Sequence, residues 1–224
     1  MLILGIDTST SAISAAVSDG CGLAVSRAVL DPRGHTEHLA PTIAAVLAEA
    51  AAAPADLCAI AVGVGPGPFT GLRVGLATAV TMGLALGIPV HGIGSLDALA
   101  LQVAEHHTGE VLVATDARRR ETYWARYAVA PGLVDPLTEP AVALPADLPE
   151  EARSLPVAGR AALLYPAAFG DPVHDADGQP VLDVDAAAVI ALVRQGLASG
   201  KALPVQARYL RRPDALTTAE RMSR

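Results

Sequence analysis

Two short stretches carry residue types from which a chemical site could be built. The first is Asp7-Thr8-Ser9-Thr10, directly after the apolar run Leu2–Ile6. An acidic residue at a strand end can hold a hydrated metal ion, and small hydroxyl residues let backbone N–H groups reach a phosphate. Taken alone, the same four residues read first as an Asx turn with its hydroxyls in local hydrogen bonds. The second stretch is Gly63-Val64-Gly65-Pro66-Gly67-Pro68-Phe69-Thr70-Gly71-Leu72-Arg73-Val74-Gly75. Its glycines could cradle an anion, but Pro66 and Pro68 each remove a donor, and no Lys-Ser/Thr pair of the P-loop type follows. Glycine alternating with proline instead demands a sharp turn and a close backbone approach. Thr70 is placed to cap a following helix. Arg73 falls in that helix's first turn, where a cation opposes the dipole, and so requires a carboxylate within the chain or on another protein.

The remaining polar residues form no set. His35 and His38 flank Glu37 near a helix start and read as solvated; as metal ligands they would need further groups that the sequence does not mark. No Ser-His-Asp, Cys-His or spaced carboxylate pair stands out. Arg118-Arg119-Arg120 reads as a solvated turn paired with Asp116 or Glu121, and three residues do not make a case for contact with RNA phosphate. A net charge of −7 argues against a chain that grips nucleic acid by itself. The two cysteines, Cys21 and Cys58, lie in apolar surroundings and are expected to be buried thiols.

These residues need elements to hold them. Leu2–Ile6, Ile13–Val17 and Leu23–Val29 predict an antiparallel meander with a turn at Asp19-Gly20. Leu39, Ile43, Val46, Leu47 and Ala50 recur at helical spacing, and Pro41 places the start of that helix near His38. A strand over Ala59–Val64, a helix from Thr70 to Leu86, a strand over Val90–Ile93 and a helix from Ser95, capped by that serine, complete a βββαβαβα half. Gly71, Gly75, Ala79, Gly83 and Gly87 recur every four residues along the second helix, a stripe suited either to the sheet beneath it or to a helix of another chain. Val111–Thr115 and Thr122–Val129 predict a hairpin with Tyr123 and Trp124 on opposite faces. Residues 131–180 are proline-rich and weakly periodic. Asp185 caps a last helix that Gly200 closes, and Arg208-Tyr209-Leu210-Arg211-Arg212-Pro213 suggests a docked strand or turn before a polar end. Met1–Asp7 carries no basic leader, and Val74–Val90 reads as a buried helix and strand, so the expectation is a cytoplasmic protein without membrane contact.

Several motifs then occur in order: Ile3-Leu4-Gly5-Ile6-Asp7-Thr8-Ser9, His35-Thr36-Glu37-His38-Leu39-Ala40-Pro41, Gly65-Pro66-Gly67-Pro68-Phe69-Thr70-Gly71-Leu72-Arg73, Asp116-Ala117-Arg118 with Glu121 and Tyr123, and Tyr209-Leu210-Arg211. Together they resemble the TsaB (YeaZ) family, in the TsaD/Kae1-like branch of the actin-like ATPase fold. Asp7–Thr10 is then similar to the phosphate loop of the actin-like, sugar-kinase and Hsp70 ATPases. The resemblance implies an α/β protein of actin-like (ASKHA, ribonuclease H-like) fold, with two lobes, 1–104 and 105–224, each built on a mixed five-stranded sheet. Two departures stand out: Pro68 replaces a serine usual before Phe69, and Arg208 stands where proline commonly precedes Tyr-Leu-Arg.

What the resemblance implies about function is a non-catalytic scaffold. Such a subunit supports threonylcarbamoyl transfer to N6 of adenosine 37 in ANN-reading tRNAs by binding the catalytic TsaD-like subunit, with a TsaE-like ATPase joining. ATP and metal are expected in those partners, tRNA is expected only through the complex, and a homodimer is expected when the partner is absent. The paralogue's H-x-x-x-H metal pair has no counterpart in His91-Gly92-Ile93-Gly94-Ser95-Leu96. The expected partner interface comprises His38, Pro41, Ala45, Thr70, Arg73, Gly75, Ala79 and Met82. Asp7, Thr8, Ser9 and Thr10 are carried as a degenerate phosphate loop. The alternative is a stand-alone enzyme of the same fold, an ATP-dependent kinase or a metallopeptidase.

Overall fold

Strand β1 (Leu2–Asp7) has no charge before its last residue, because both faces of its sheet are covered. Leu4 and Ile6 point to one core and Ile3 to the other. The computed structural model describes residues 1–211. β1 pairs antiparallel with β2 (Ala12–Ser18), and β2 with β3 (Ala24–Leu30), as the predicted meander. Asp19 makes the tight turn: its Oδ1 accepts the N–H groups of Cys21 and Leu23, and Gly20 takes a φ of +73°. Cys21 is therefore exposed in the turn rather than buried, and Cys58 is half-buried with its thiol on the Leu2 carbonyl.

Helix α1 (His35–Glu49) starts three residues earlier than Pro41 suggested. The Gly34 carbonyl accepts from the Glu37 and His38 N–H groups and opens the helix there. Pro41 is then interior but exposed, so the carbonyl it leaves unpaired can turn to water. β4 (Leu57–Gly63), α2 (Phe69–Leu86), β5 (Val90–Ile93) and α3 (Ser95–Ala104) follow, giving a five-stranded mixed sheet in the order β3-β2-β1-β4-β5. Pro68, not Thr70, occupies the N-cap of α2, and Thr70 lies inside the helix. Gly87 ends it in the left-handed region at φ +67°, with its N–H on the Gly83 carbonyl.

The second sheet is built from β6 (Gly109–Asp116), β7 (Thr122–Ala130), β8 (Leu133–Pro136), β9 (Ala141–Ala143) and β10 (Val157–Ala158), in the order β10-β6-β7-β8 with β9 also on β7. The short helices α4 (Glu150–Arg153) and α5 (Ala161–Leu164) lie within the weakly periodic region, on the outer face of this sheet around Leu112, Leu148 and Phe169. Tyr123 and Trp124 do face opposite sides: Tyr123 is buried toward the Gly67 loop, and Trp124 packs on the outer cluster. Arg118, Arg119 and Arg120 form the β6–β7 turn, all three with positive φ (+63°, +50° and +66°). Asp116 holds that turn by accepting the Arg118 N–H at 2.8 Å.

The largest core lies between the sheets. It is filled by α3 and by α6 (Ala186–Ala198), which Asp185 caps through the Ala187 N–H as predicted. α6 belongs to the second half of the chain yet packs on β1, β2 and β4, while α3 of the first half packs on β7 and β8. Gly5 makes that crossing possible, since a Cβ there would overlap the Ala186 carbonyl. Ser14 Oγ then accepts the Ala186 N–H at 2.9 Å. Residues 201–211 have no regular secondary structure but dock beside β5: Gly92 N–H donates to the Leu203 carbonyl and Arg208 N–H to that of Val64. Arg212, Pro213 and the polar end lie outside the described residues.

Leu99, fully buried on α3, reports on this shared core. Leu99→Ala is expected to lower unfolding stability by about 2–5 kcal/mol in urea titration. A loss below about 1 kcal/mol would mean that the two sheets do not share one close-packed core.

Candidate functional site

The Asp7 carboxylate is completely buried at the C-terminal end of β1, beside the ends of β4 and the start of α3. One oxygen, Oδ1, accepts from the Ser9 N–H at 2.8 Å and the Ser9 hydroxyl at 2.7 Å. The other, Oδ2, accepts from the Ser95 hydroxyl at 2.7 Å, and Ser95 Oγ accepts the Gly65 N–H at 3.1 Å. Ser95 is thus not the cap of α3, a position taken by Gly94, but the link between Asp7 and the glycine-proline loop. Burial pushes the Asp7 carboxyl above its ordinary value of 3.8; hydrogen bonds from Ser95 and Ser9 oppose this, and the charge of Asp183 adds to it.

The three residues after Asp7 are also turned inward. Thr8 Oγ1 donates to the Gly71 carbonyl at 2.8 Å and accepts the Gly75 N–H at 3.1 Å, so its hydroxyl bridges the two ends of one helical rung of α2. Gly67 lies on Ser9, where a Cβ would come within 2.5 Å of the Ser9 carbonyl oxygen. A Cβ at Gly63 would overlap Asp7, and one at Gly75 would overlap Thr8. His35, expected in solvent, is buried, with Nε2 3.4 Å from the Thr10 carbonyl and against Gly71. The close approach demanded by the glycine-proline alternation is therefore to Asp7–Thr10 itself. The Thr8 hydroxyl is thus spent on α2 and the Ser9 hydroxyl on Asp7, whereas Thr10 Oγ1 has no partner among the described residues.

The expected interface residues separate into two faces. Gly75 and Ala79 are buried against the sheet, together with Gly71 and Gly83, so the small-residue stripe serves packing within the chain. The outward face of α2 carries Thr70, Arg73, Ala77, Val80 and Leu84, and Leu84 is 84% exposed. Met82 is half-buried. On α1, which touches α2, Pro41 is exposed and His38 and Ala45 are half-buried. Arg73 has no carboxylate partner among the described residues. Its guanidinium lies 3.9 Å from the centre of the Phe69 ring, and its Nε donates to the Tyr209 hydroxyl at 3.4 Å. Among the described residues, a cation–π contact with Phe69 and the Tyr209 hydroxyl accommodate the cation at the helix start.

Elsewhere, His38 lies 3.3 Å from Asp31, and no group of three or more His, Cys, Asp or Glu is placed to hold a metal among the described residues. Arg118 meets Asp116 at 3.4 Å, as the turn reading expected. Ser95 and Tyr209 were not assigned these contacts from sequence: Ser95 lies 88 residues from Asp7, and Tyr209 is 136 from Arg73.

The raised carboxyl of Asp7 sets the sign of a pH effect. The folded state binds this proton more tightly than the unfolded chain, so the penalty for charging Asp7 is absent below about pH 3.8 and grows as pH rises through the folded-state value. Asp7→Asn, which carries no charge, is expected to gain stability relative to the native chain as pH is raised above about 3.8 in parallel urea titrations. A difference that is flat with pH would contradict a strained buried carboxylate.

Residues 30–166 match the family described as TsaD: tRNA N6-adenosine threonylcarbamoyltransferase. An uncharacterised protein of Mycobacterium leprae is 42% identical over 218 residues, which cover 96% of this chain and 56% of that protein. The tRNA threonylcarbamoyladenosine biosynthesis protein TsaB of Escherichia coli is 40% identical over 131 residues, 57% of this chain and 55% of that one. The matched region spans little more than half the length of each of these two relatives. The structure of YeaZ from Pseudomonas aeruginosa superimposes with a TM-score of 0.77 at 28% identity, covering 93% of this chain and 99% of that one. With its two-lobed fold of mixed five-stranded sheets, this chain belongs to the TsaD family, as a TsaB/YeaZ-like member.

Proposed function

We propose that the chain is a non-catalytic scaffold for threonylcarbamoyl transfer to N6 of adenosine 37 in ANN-reading tRNAs, acting by binding and stabilising a TsaD-like catalytic subunit. The observation that carries this reading is the outward face of α2. It exposes Val80 and Leu84 in line with Ala77 and Arg73, on a helix whose stripe Gly71, Gly75, Ala79 and Gly83 is buried within its own lobe. An apolar helix face rimmed by polar groups is the usual form of a protein–protein contact. α2 has 18 residues and is apolar enough by length and composition to cross a membrane, but its glycines are keyed to Thr8 and Val90 of the same lobe. Its exposed face is therefore better explained by a partner protein than by lipid.

The joint at Asp7–Thr10 supports the same reading, because the Asp7 carboxylate and the hydroxyls of Thr8 and Ser9 are hydrogen-bonded within the chain. His38, Pro41 and Ala45 of α1 and Thr70, Arg73 and Met82 of α2 remain in the proposed interface. Gly75 and Ala79 support it from beneath. A TsaE-like ATPase and tRNA join through the complex, which suits a chain of net charge −7, and the same face pairs two copies when the catalytic subunit is absent. The setting is the cytoplasm, where tRNA is modified.

Leu84→Lys is expected to abolish co-purification with the TsaD paralogue of the same organism. Its urea stability should stay within about 0.5 kcal/mol of the native chain, as for an exposed substitution. Retained co-purification would reject this surface. In calorimetry with ATP and Mg²⁺ the isolated chain is expected to give no binding heat, whereas tight binding would favour a stand-alone enzyme.

A further inference from the structure

The segment from Lys201 to Arg211 forms neither helix nor strand, yet its path is determined at both ends. Near its start the Gly92 N–H donates to the Leu203 carbonyl at 3.0 Å, and further on the Arg208 N–H donates to the Val64 carbonyl at 2.8 Å. β5 is the edge of the first sheet, so the first of these bonds covers a backbone group that would otherwise be open to another chain. Three glycines leave room for the segment. A Cβ at Gly92 would overlap the Pro204 carbonyl oxygen, one at Gly94 would lie 3.1 Å from Arg208 Nη1, and one at Gly65 would lie 3.4 Å from the Arg208 carbonyl oxygen.

The far end joins two places that no strand connects. The Tyr209 ring sits 5.2 Å from that of Phe69, tilted by 43°, and its hydroxyl accepts from Arg73. Two residues on, Arg211 Nη1 donates to the Ala117 carbonyl at 2.7 Å, and its Nε lies 3.3 Å from Glu121. The first residue of α2 and the β6–β7 turn are thus held by neighbouring side chains of one segment.

We propose that residues 201–211 form a strap that positions the partner surface. Tyr209 fixes Phe69 and Arg73 at the start of α2, and Arg211 ties that point to the β6–β7 turn of the second sheet. Held over the Phe69 ring with its Nε on Tyr209, the Arg73 guanidinium keeps its remaining N–H groups for a carboxylate of the partner, with little freedom left to lose when the two meet. The identity of the partner rests on the scaffold reading above, while the positioning is a property of the chain by itself.

Two readouts on the full-length chain separate these. Amide hydrogen exchange is followed at Thr70–Arg73 and Ala117–Glu121, and affinity for the TsaD paralogue is measured by calorimetry. Three variants are compared with the native protein: Tyr209→Ala, Tyr209→Phe, which keeps the ring stack, and Gly92→Val, which displaces the strap without altering any of its side chains. Tyr209→Ala and Gly92→Val are expected to speed exchange at both segments and to weaken partner binding about tenfold. Tyr209→Phe should stay within about threefold of native, since the long hydroxyl contact contributes least. Native exchange at both segments in Tyr209→Ala, or native affinity in that variant, overturns the strap. If the native chain itself does not bind the paralogue, the scaffold reading falls, and the exchange data alone decide the strap.

Discussion

A fully buried carboxylate at the heart of the first lobe is the constraint around which the rest is arranged. Asp7 has no bulk water, so each of its oxygens must be satisfied by donors delivered from elsewhere. Ser9 comes from the next turn, but Ser95 has to be brought from the start of α3, and Gly65 from the loop after β4 in turn meets Ser95. Three elements can converge on one side chain only if their backbones approach within van der Waals contact. That explains glycine at 63, 67, 71 and 75: at each, a Cβ would strike Asp7, Ser9, Thr8 or His35.

The same close approach gives α2 its two faces. Its inner stripe of Gly71, Gly75, Ala79 and Gly83 sinks onto the first lobe, and the Thr8 hydroxyl enters the helix ladder. A helix drawn that far in by small residues presents its larger side chains, Val80 and Leu84, on the opposite side. Packing inside the chain and the exposed apolar face are consequences of one periodicity. The shape of the joint therefore fixes the orientation of the proposed interface.

The two sheets are joined by exchange rather than by a hinge of few contacts. α6 returns to cover β1, with Gly5 and Ser14 receiving its first turn, while α3 leans on β7 and β8. Tyr127, buried in the shared core, donates to Asp97 of α3 at 2.7 Å and is pushed far up by burial and that carboxylate. The strap adds a second link on the outer side. Such coupling suits a subunit whose proposed work is to offer a stable surface.

By itself the sequence determined the βββαβαβα half, the β6–β7 hairpin, the cap at Asp185 and the need for close approach at Gly63–Gly75. These follow from local periodicity, turn chemistry and glycine or proline geometry, all of which act within a few residues. Its motifs also identified the family. The first residue of α1 was misplaced because Pro41 could be interior so long as it faced water. Arg73 was expected to need a carboxylate because Phe69 and Tyr209 could not be seen to meet it. Only the tertiary structure decided that the small-residue stripe faces inward, that His35 is buried, that Ser95 serves Asp7, and that the tail docks on β5. In each case the deciding partner lies many residues away, and which side of a helix or loop is covered depends on the elements the fold brings against it.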